Sequence, residues 1–367
     1  MVLLTVIAFF LAVLMGGWVV VGLGLPSQPY SNDKPQRFHE GNVSRMGGVA
    51  LGTGLILAWI LGSAMDGHIL KINLRWTPKI VLLSSLGLLP ALIVGFLEDY
   101  TQRISVTWRL LATLTTGVFL CWALDLSVKR LGISGLDTLL QAWPWGGIIL
   151  AGLAITGLPH AFNIIDGYNG LASVVAALIA LALAHVALQV GDRAVAALML
   201  ALVGATAGFL VWNYPRGLLF AGDAGAYLWG SVIAVGAILL VQRNPQVSPW
   251  FPLLLLIYPV WETLFSIYRK AARGYSPGLA DALHFHQLIF RRLVRGVFHD
   301  GRVRHLLIRN NRTSPYLWGF TALTVTPAVL FWNSTIALML FCALFVVLYV
   351  WAYLSIVRFK IPHWLRH

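Results

Sequence analysis

Apolar residues run in long blocks along this chain, and the polar residues gather in the short gaps between them. The blocks fall at about 2–25, 46–65, 78–97, 105–125, 145–162, 171–190, 194–212, 224–242, 250–268, 315–332 and 335–357. Each is roughly 18 residues or longer, the length at which a helix crosses the hydrocarbon of a bilayer. None alternates polar and apolar positions as a barrel strand would, and only helices or closed barrels satisfy their backbone groups in lipid. The pattern therefore predicts an all-α, polytopic membrane protein with about eleven transmembrane helices, built as a single integral-membrane domain over 1–367. The first block has no basic segment before it and is longer than the apolar core of a signal peptide, so it reads as helix one.

Composition excludes an ordinary soluble domain: 59% of residues are hydrophobic, 11% are charged and the mean hydropathy is +0.80. The two cysteines, Cys121 and Cys342, both lie inside apolar blocks, where neither a disulfide nor a thiolate metal site is expected. No GxxxxGK[ST] loop occurs, which excludes a P-loop nucleotidase. Eleven spans put the termini on opposite sides. The odd-numbered loops and the C terminus carry 19 of the 26 Lys and Arg residues, so the positive-inside rule places them in the cytoplasm and the N terminus outside. Orientation accounts for much of the net charge of +13. Ten cations within 269–313 exceed that need and point to an anionic partner, either lipid head groups or a nucleotide diphosphate. Nucleic acid is not expected.

Eight of the 13 acidic residues lie on the same face: Asp33, Glu40, Glu98, Asp99, Asp166, Asp223, Asp281 and Asp300. Glu262 sits two turns inside the ninth span on that side. GFLEDY places Glu98 and Asp99 at the mouth of the third span, where a solvated helix end would serve as well as a site. NIIDGYNG sets Asn163, Asp166 and Asn169 between two apolar blocks, with Gly167 and Gly170 allowing a tight turn. Capping explains one such residue but not three in seven. In FAGDAG, Asp223 opens a helix between Gly222 and Gly225, as an N-cap or as a metal ligand that in turn holds a phosphate. DALHFHQLIFRRLVR brings His284 and His286 near Arg291, Arg292 and Arg295, a set that suits phosphate better than zinc. Lys34, Arg37, His39 and Arg45 surround a Pro-marked loop before Gly47-Gly48. Hard oxygen donors without thiolates suit Mg²⁺ or Mn²⁺ shared with phosphates, beside cationic loops fitted to phosphoryl transfer.

In this order and in these loops, the motifs resemble the polyprenyl-phosphate N-acetylhexosamine-1-phosphate transferases. This is the superfamily of the WecA-type and MraY-type bacterial enzymes, and the chain is nearest to the WecA/WbpL-type branch that initiates O-antigen and other surface polysaccharides. The resemblance is carried by Asp33, Pro35, Arg37 and His39 with Arg45-Met46-Gly47-Gly48, by Glu98-Asp99, by Asn163, Asp166, Gly167, Gly170 and Leu171, by Gly222, Asp223 and Gly225, and by Asp281, His284 and His286. It implies an active site on the cytoplasmic face. There Asn163 and Asp223 would hold Mg²⁺ (Mn²⁺ in its place) with the nucleotide diphosphate, and Asp166 would brace or co-ligate them. Glu98 and Asp99 would lie near the lipid phosphate, with His284 and His286 near the diphosphate. Lys34, Arg37, Arg45, Asn169, Gly222 and Arg291 complete the substrate-binding set. Arg309, nearer the tenth span, is expected at lipid head groups or as a topology determinant. The implied partners are a UDP-sugar, undecaprenyl phosphate and membrane lipids, and a homodimer is compatible with them. The implied reaction gives undecaprenyl-diphospho-sugar and UMP. The chain departs from the family pattern at Glu98 for Asp, Ala282 for Arg, Gln287 for His, His160 for Asn, and Ala224 and Ala226 for small hydroxyl residues. A transporter or flippase is the competing class, but it would hold ionisable groups near the midplane and not at one face.

Overall fold

Apolar side chains in lipid leave the backbone to satisfy itself, and each block becomes a helix that ends where proline, glycine or a polar turn interrupts it. The third span shows this locally. Thr77 caps it by accepting from the Ile80 N–H at 3.2 Å, and Pro78 opens the first turn. Where Pro90 interrupts it, the Ala91 N–H donates to Thr116 Oγ1 of the next helix at 3.2 Å. The computed structural model describes residues 1–22, 43–65, 77–274, 283–294 and 303–358, with side chains in the last segment from 306 onward. Its helices are α1 (Val2–Val21), α2 (Gly47–Met65), α3 (Pro78–Thr101), α4 (Val106–Leu124), α5 (Ser134–Ala142), α6 (Pro144–Ile165) and α7 (Leu171–Gln189). They continue with α8 (Arg193–Asn213), α9 (Gly222–Arg243), α10 (Trp250–Leu255), α11 (Ile257–Ala271), α12 (Phe285–Arg292), α13 (Val303–Leu330) and α14 (Thr335–Val357).

Among the described residues nine helices are long and apolar enough to cross a membrane: α1 to α4, α6 to α9, and α14. Two of the eleven expected spans take another form. The ninth breaks at Leu256 into α10 and α11, because Pro259 has no N–H to bond the carbonyl four residues back. The tenth is the second half of α13. That helix starts well before position 315, with a polar half that packs on the site. Amphipathic α5, with every residue outside the core, was not expected at all.

α9 is the axis of the bundle, buried from Gly222 to Leu240. α2, α3 and α6 pack around it, α8 lies behind it against α1 and α2, and α7 and α13 close the other side. The antiparallel order brings the end of α3, the start of α4, the end of α6 and the start of α9 to one end of the bundle. Large apolar side chains left exposed on the outer helices, such as Phe10 and Leu14 of α1 and Leu340 and Val347 of α14, suit a lipid surface.

Candidate active site

The start of α9 is assembled by the segment before α2. Ser44 pairs with Leu219 in a parallel bridge, and the Phe220 N–H donates to the Ser44 carbonyl at 2.9 Å. The Gly47 and Gly48 N–H groups donate to the carbonyls of Phe220 and Ala221 at 2.8 and 2.9 Å. This pairing delivers Arg45 to the first turn of α9. Gly222 has φ +69°, in the left-handed region, and a Cβ there would overlap the Asp99 carboxylate and the Arg45 carbonyl. The missing side chain is therefore the space into which Asp99 fits.

Asp99 is fully buried and caps α9 from outside. Its oxygens accept from the Asp223 N–H at 2.8 Å and the Ala224 N–H at 3.1 Å, where a helix N-terminus favours an anion. Asp223 is thereby freed from capping. Its Oδ2 accepts from Arg109 Nη1 at 2.9 Å and from the Tyr227 hydroxyl at 3.0 Å. Arg45 Nη2 lies 3.5 Å from both Asp223 Oδ1 and Asp99 Oδ1, joining the two carboxylates. Asn163, at the end of α6, adjoins the Tyr227 hydroxyl and acts on it electrostatically. His160, one turn earlier, meets Thr113 Oγ1 of α4 at 3.0 Å and packs edge-on against Tyr227. Asp166 follows directly as the residue that ends α6. Burial pushes its carboxyl up to about 7, with Asp223 adding to the shift and Arg45 opposing it. Three carboxylates and two guanidinium groups thus gather at one end of the bundle, a balance of one negative charge when all are ionised.

A second cluster stands beside the first. His284 precedes α12, and its Nδ1 lies 2.9 Å from Glu262 Oε1 of α11. His286 stacks parallel to His284 with ring centroids 5.4 Å apart. Its other neighbour is the acidic turn: a Cβ on Gly167 would come within 2.8 Å of His286 Nε2, and Tyr168 meets the ring edge-on. Gly167 is thus glycine because the histidine segment leans on it. Gly170 has φ +72°, and its N–H donates to Asn213 Oδ1 at 2.6 Å.

The structure gathers Arg45, Asp99, Asp166, Asn163, Gly222 and Asp223 into one cluster and places His284 and His286 against its flank. Several expected residues have other surroundings. Asp99 is buried against the start of α9, where it accepts from the Asp223 and Ala224 N–H groups. Glu98, half-buried, accepts from the Ile104 N–H at 2.8 Å and closes the α3–α4 turn. Asn169 is tied to α13: its N–H donates to Asn310 Oδ1 at 2.8 Å, its amide donates to Asn311 Oδ1 at 3.0 Å, and its carbonyl accepts from Ser314 at 2.6 Å. That makes it an anchor of the turn. Arg291, in the last turn of α12, acts electrostatically on Tyr168. Arg309 lies over the Phe290 ring at 4.5 Å, against the histidine segment. Lys34, Arg37, His39, Asp281, Ala282, Arg295 and Asp300 lie outside the described residues.

Arg109, Tyr227 and Tyr349 were not expected. Arg109 had a signal, since a cation one turn inside an apolar block requires a partner. Tyr227 stands four residues after Asp223, on the same helix face. Among the described residues no three His, Cys, Asp or Glu side chains come together as a metal-binding group. The groups gathered around Asp223 nonetheless offer hard oxygens from carboxylate, amide and phenol, with the His160 imidazole engaged by Thr113. Both cysteines are buried in α4 and α14, away from the cluster.

The profile of glycosyl transferase family 4 matches residues 80–241, the stretch that carries Asp99, Arg109, Asn163, Asp166 and Asp223. A probable undecaprenyl-phosphate N-acetylglucosaminyl 1-phosphate transferase of Bacillus subtilis (strain 168) is 26% identical over 333 residues, covering 90% of this chain and 84% of the relative. A decaprenyl-phosphate N-acetylglucosaminephosphotransferase of Mycolicibacterium smegmatis is 25% identical over 91% of this chain and 83% of its own. A phospho-N-acetylmuramoyl-pentapeptide-transferase of Synechococcus sp. (strain JA-3-3Ab) is 31% identical over 58% of this chain and 60% of its own.

Proposed function

We propose that this chain, which belongs to the polyprenyl-phosphate N-acetylhexosamine-1-phosphate transferase superfamily, transfers a sugar-1-phosphate from a UDP-sugar to undecaprenyl phosphate at the cytoplasmic face of a bacterial inner membrane. The sugar is of the N-acetylhexosamine type, and the step is the first membrane step of O-antigen or other surface-polysaccharide synthesis. An oxygen of the lipid phosphate attacks the β-phosphorus of the UDP-sugar. The bond from that phosphorus to the bridging oxygen breaks, and UMP leaves with the bridging oxygen. A phosphate monoester is largely dianionic at neutral pH, so the attacking oxygen needs little help from a base.

The reading rests above all on the pairing of Arg45 and Arg109 with buried Asp223 at one end of an otherwise apolar bundle. Two anions must meet for this reaction, and fixed guanidinium groups at the meeting point neutralise charge without reorganising. In the metal-free protein Asp166, with its carboxyl near 7, can hold or release a proton around neutral pH. Mg²⁺, with Mn²⁺ as substitute, belongs to the proposal: Asp223 and Asn163 would hold it beside Asp166. The carboxylate, amide and phenol oxygens about Tyr227 fit a hard cation, which when bound supplies further charge neutralisation at the diphosphate. A transporter is disfavoured by α9, the central helix, which carries no ionisable group between Tyr227 and Arg243.

The test is release of UMP by the purified full-length protein given undecaprenyl phosphate and each of a panel of UDP-N-acetylhexosamines. Lipid-dependent UMP from at least one of them is expected. No release from any, by protein that is monodisperse in detergent, would overturn the reading.

A further inference from the structure

Glu262 is fully buried in a chain with few charges, yet it is outside the acidic cluster. Three donors converge on its carboxylate. Oε1 lies 2.9 Å from His284 Nδ1 and accepts from the Phe285 N–H at 3.2 Å, and Oε2 accepts from the Tyr349 hydroxyl of α14 at 2.6 Å. With the Phe285 and Tyr349 donors already fixed, the arrangement is that of an ionised carboxylate, which only accepts. The His284 proton therefore sits on Nδ1, and Nε2 is the nitrogen left for other chemistry.

The same contacts fix where the ring lies. His284 stands at the N-cap of α12, and its own N–H donates to Gln287 Oε1 at 3.2 Å. The last helix straps the segment down. Tyr353 donates to the Leu283 carbonyl at 3.2 Å, and Arg292 donates to the Val357 carbonyl at 2.6 Å. From Glu262 the path runs through the His284–His286 stack to Gly167, the residue after Asp166. A buried ion pair adds little net stability over apolar packing of similar volume. What the Glu262 carboxylate adds is a fixed tautomer and a fixed ring.

We propose that Glu262, backed by Tyr349, is a positioning residue for the histidine segment. It holds the proton on His284 Nδ1 and sets the His284–His286 stack against the Asp166–Gly167 turn, and through them it governs binding of the nucleotide diphosphate. The functional consequence rests on the transferase reading above, whereas the tautomer does not.

The experiment has two arms on full-length protein in detergent. In the first, histidine-selective ¹⁵N spectra are recorded, with His284→Ala identifying the signal. The wild type is expected to show His284 protonated on Nδ1, with that preference reduced in Glu262→Gln. A wild-type His284 protonated only on Nε2 overturns the proposal. In the second, UDP titrations and steady-state kinetics compare Glu262→Gln, Tyr349→Phe, His284→Ala and Glu262→Gln/His284→Ala. We expect Glu262→Gln to raise the Kd for UDP and the KM for UDP-sugar about tenfold, leaving the KM for undecaprenyl phosphate unmoved. Tyr349→Phe is expected to give a smaller rise of the same kind, and it carries the test if Glu262→Gln does not fold. The double variant should match His284→Ala alone, because Glu262 acts through that ring. Losses that multiply in the double variant, or that fall equally on both substrates, overturn the proposal. An inactive wild type with His284 protonated on Nδ1 refutes the transferase reading and leaves the positioning role standing.

Discussion

Asp223→Asn isolates charge from shape. The amide is the same size and keeps one oxygen for the hydrogen bonds that Arg109 and Tyr227 now make at 2.9 and 3.0 Å. What disappears is the negative charge facing two guanidinium groups. A hydrogen bond to a charged group contributes about 1.5–3 kcal/mol and a neutral one about 0.5–1.5, so the substitution removes on the order of 1–2 kcal/mol of stability. The protein should fold, with a modestly lower Tm. Turnover should suffer far more, because Asp223 is only 4% exposed and is the one carboxylate contacted by both arginines. Loss of about 4 kcal/mol of transition-state stabilisation corresponds to a rate roughly a thousandfold lower. Tyr227→Phe is the control: it removes one neutral donor, about 1 kcal/mol, and should slow turnover by about fivefold. UMP release at saturating substrates, with thermal melts on the same preparations, measures both quantities. Asp223→Asn turning over within about tenfold of the wild type would refute the central role given to this carboxylate.

Arg109→Ala leaves Asp223 buried with Arg45 as its one cation among the described residues; we expect about 3 kcal/mol lost in stability and little activity, with Arg109→Lys partly restored in both melts and turnover. Asp99→Asn turns an amide NH₂ toward two N–H donors at the start of α9; a Tm drop and loss of activity are expected, whereas Glu98→Asp should remain active. Asp166 gives a pH dependence of defined sign. Its carboxyl rises from 3.8 to about 7 on folding, so its contribution to stability is full below about pH 4 and is lost as pH rises through 7. Metal-free protein should therefore lose thermal stability over that window, stabilisation by Mg²⁺ should grow over it, and Asp166→Asn should flatten both trends in melts run at pH 5, 6, 7 and 8. Excess EDTA should abolish UMP release and added Mg²⁺ or Mn²⁺ restore it, while full activity in EDTA would remove the cation from the reading.

Most of the bundle was legible because length and apolarity alone decide what crosses a bilayer. The limits of that reading are equally physical. Apolarity marks the block 250–268, but Pro259 divides it, and a proline tolerated within α3 at position 90 is not tolerated there. In α3 a neighbouring threonine takes up a backbone donor beside the proline. In α13 the polar half looked like loop because Arg309, Asn310, Asn311 and Ser314 do not belong in lipid. They are helical because they pack on the Asn169 turn and on Phe290. The acidic motifs were visible because a carboxylate in an oily chain needs a reason. Their division of labour was not: that Asp99 caps α9 while Asp223 faces Arg109 depends on residues 114 and 124 positions apart in the chain. Glu262 stood out as an acid inside a span, but its partners His284 and Tyr349 lie 22 and 87 residues away.

In lipid, apolar surface gives helices little reason to choose one partner or register over another, since the tails are as apolar as leucine. The charged residues supply that choice here. Asp99 of α3 holds the first turn of α9 and the arginine that precedes α2; Asp223 of α9 holds α4; Glu262 of α11 holds α12 and α14. Each carboxylate is buried only where groups from other elements meet it, so the bundle cannot reach its packed state without assembling the two clusters. A half-formed arrangement would leave a bare charge in a low-dielectric interior, which costs several kcal/mol. The arginines proposed to neutralise phosphates are thus held by two of the carboxylates that fix helix register. This is why charge-removing substitutions at Asp99 should weaken the fold along with the chemistry, while Asp223, whose capping duty Asp99 has taken over, can lose its charge and still fold.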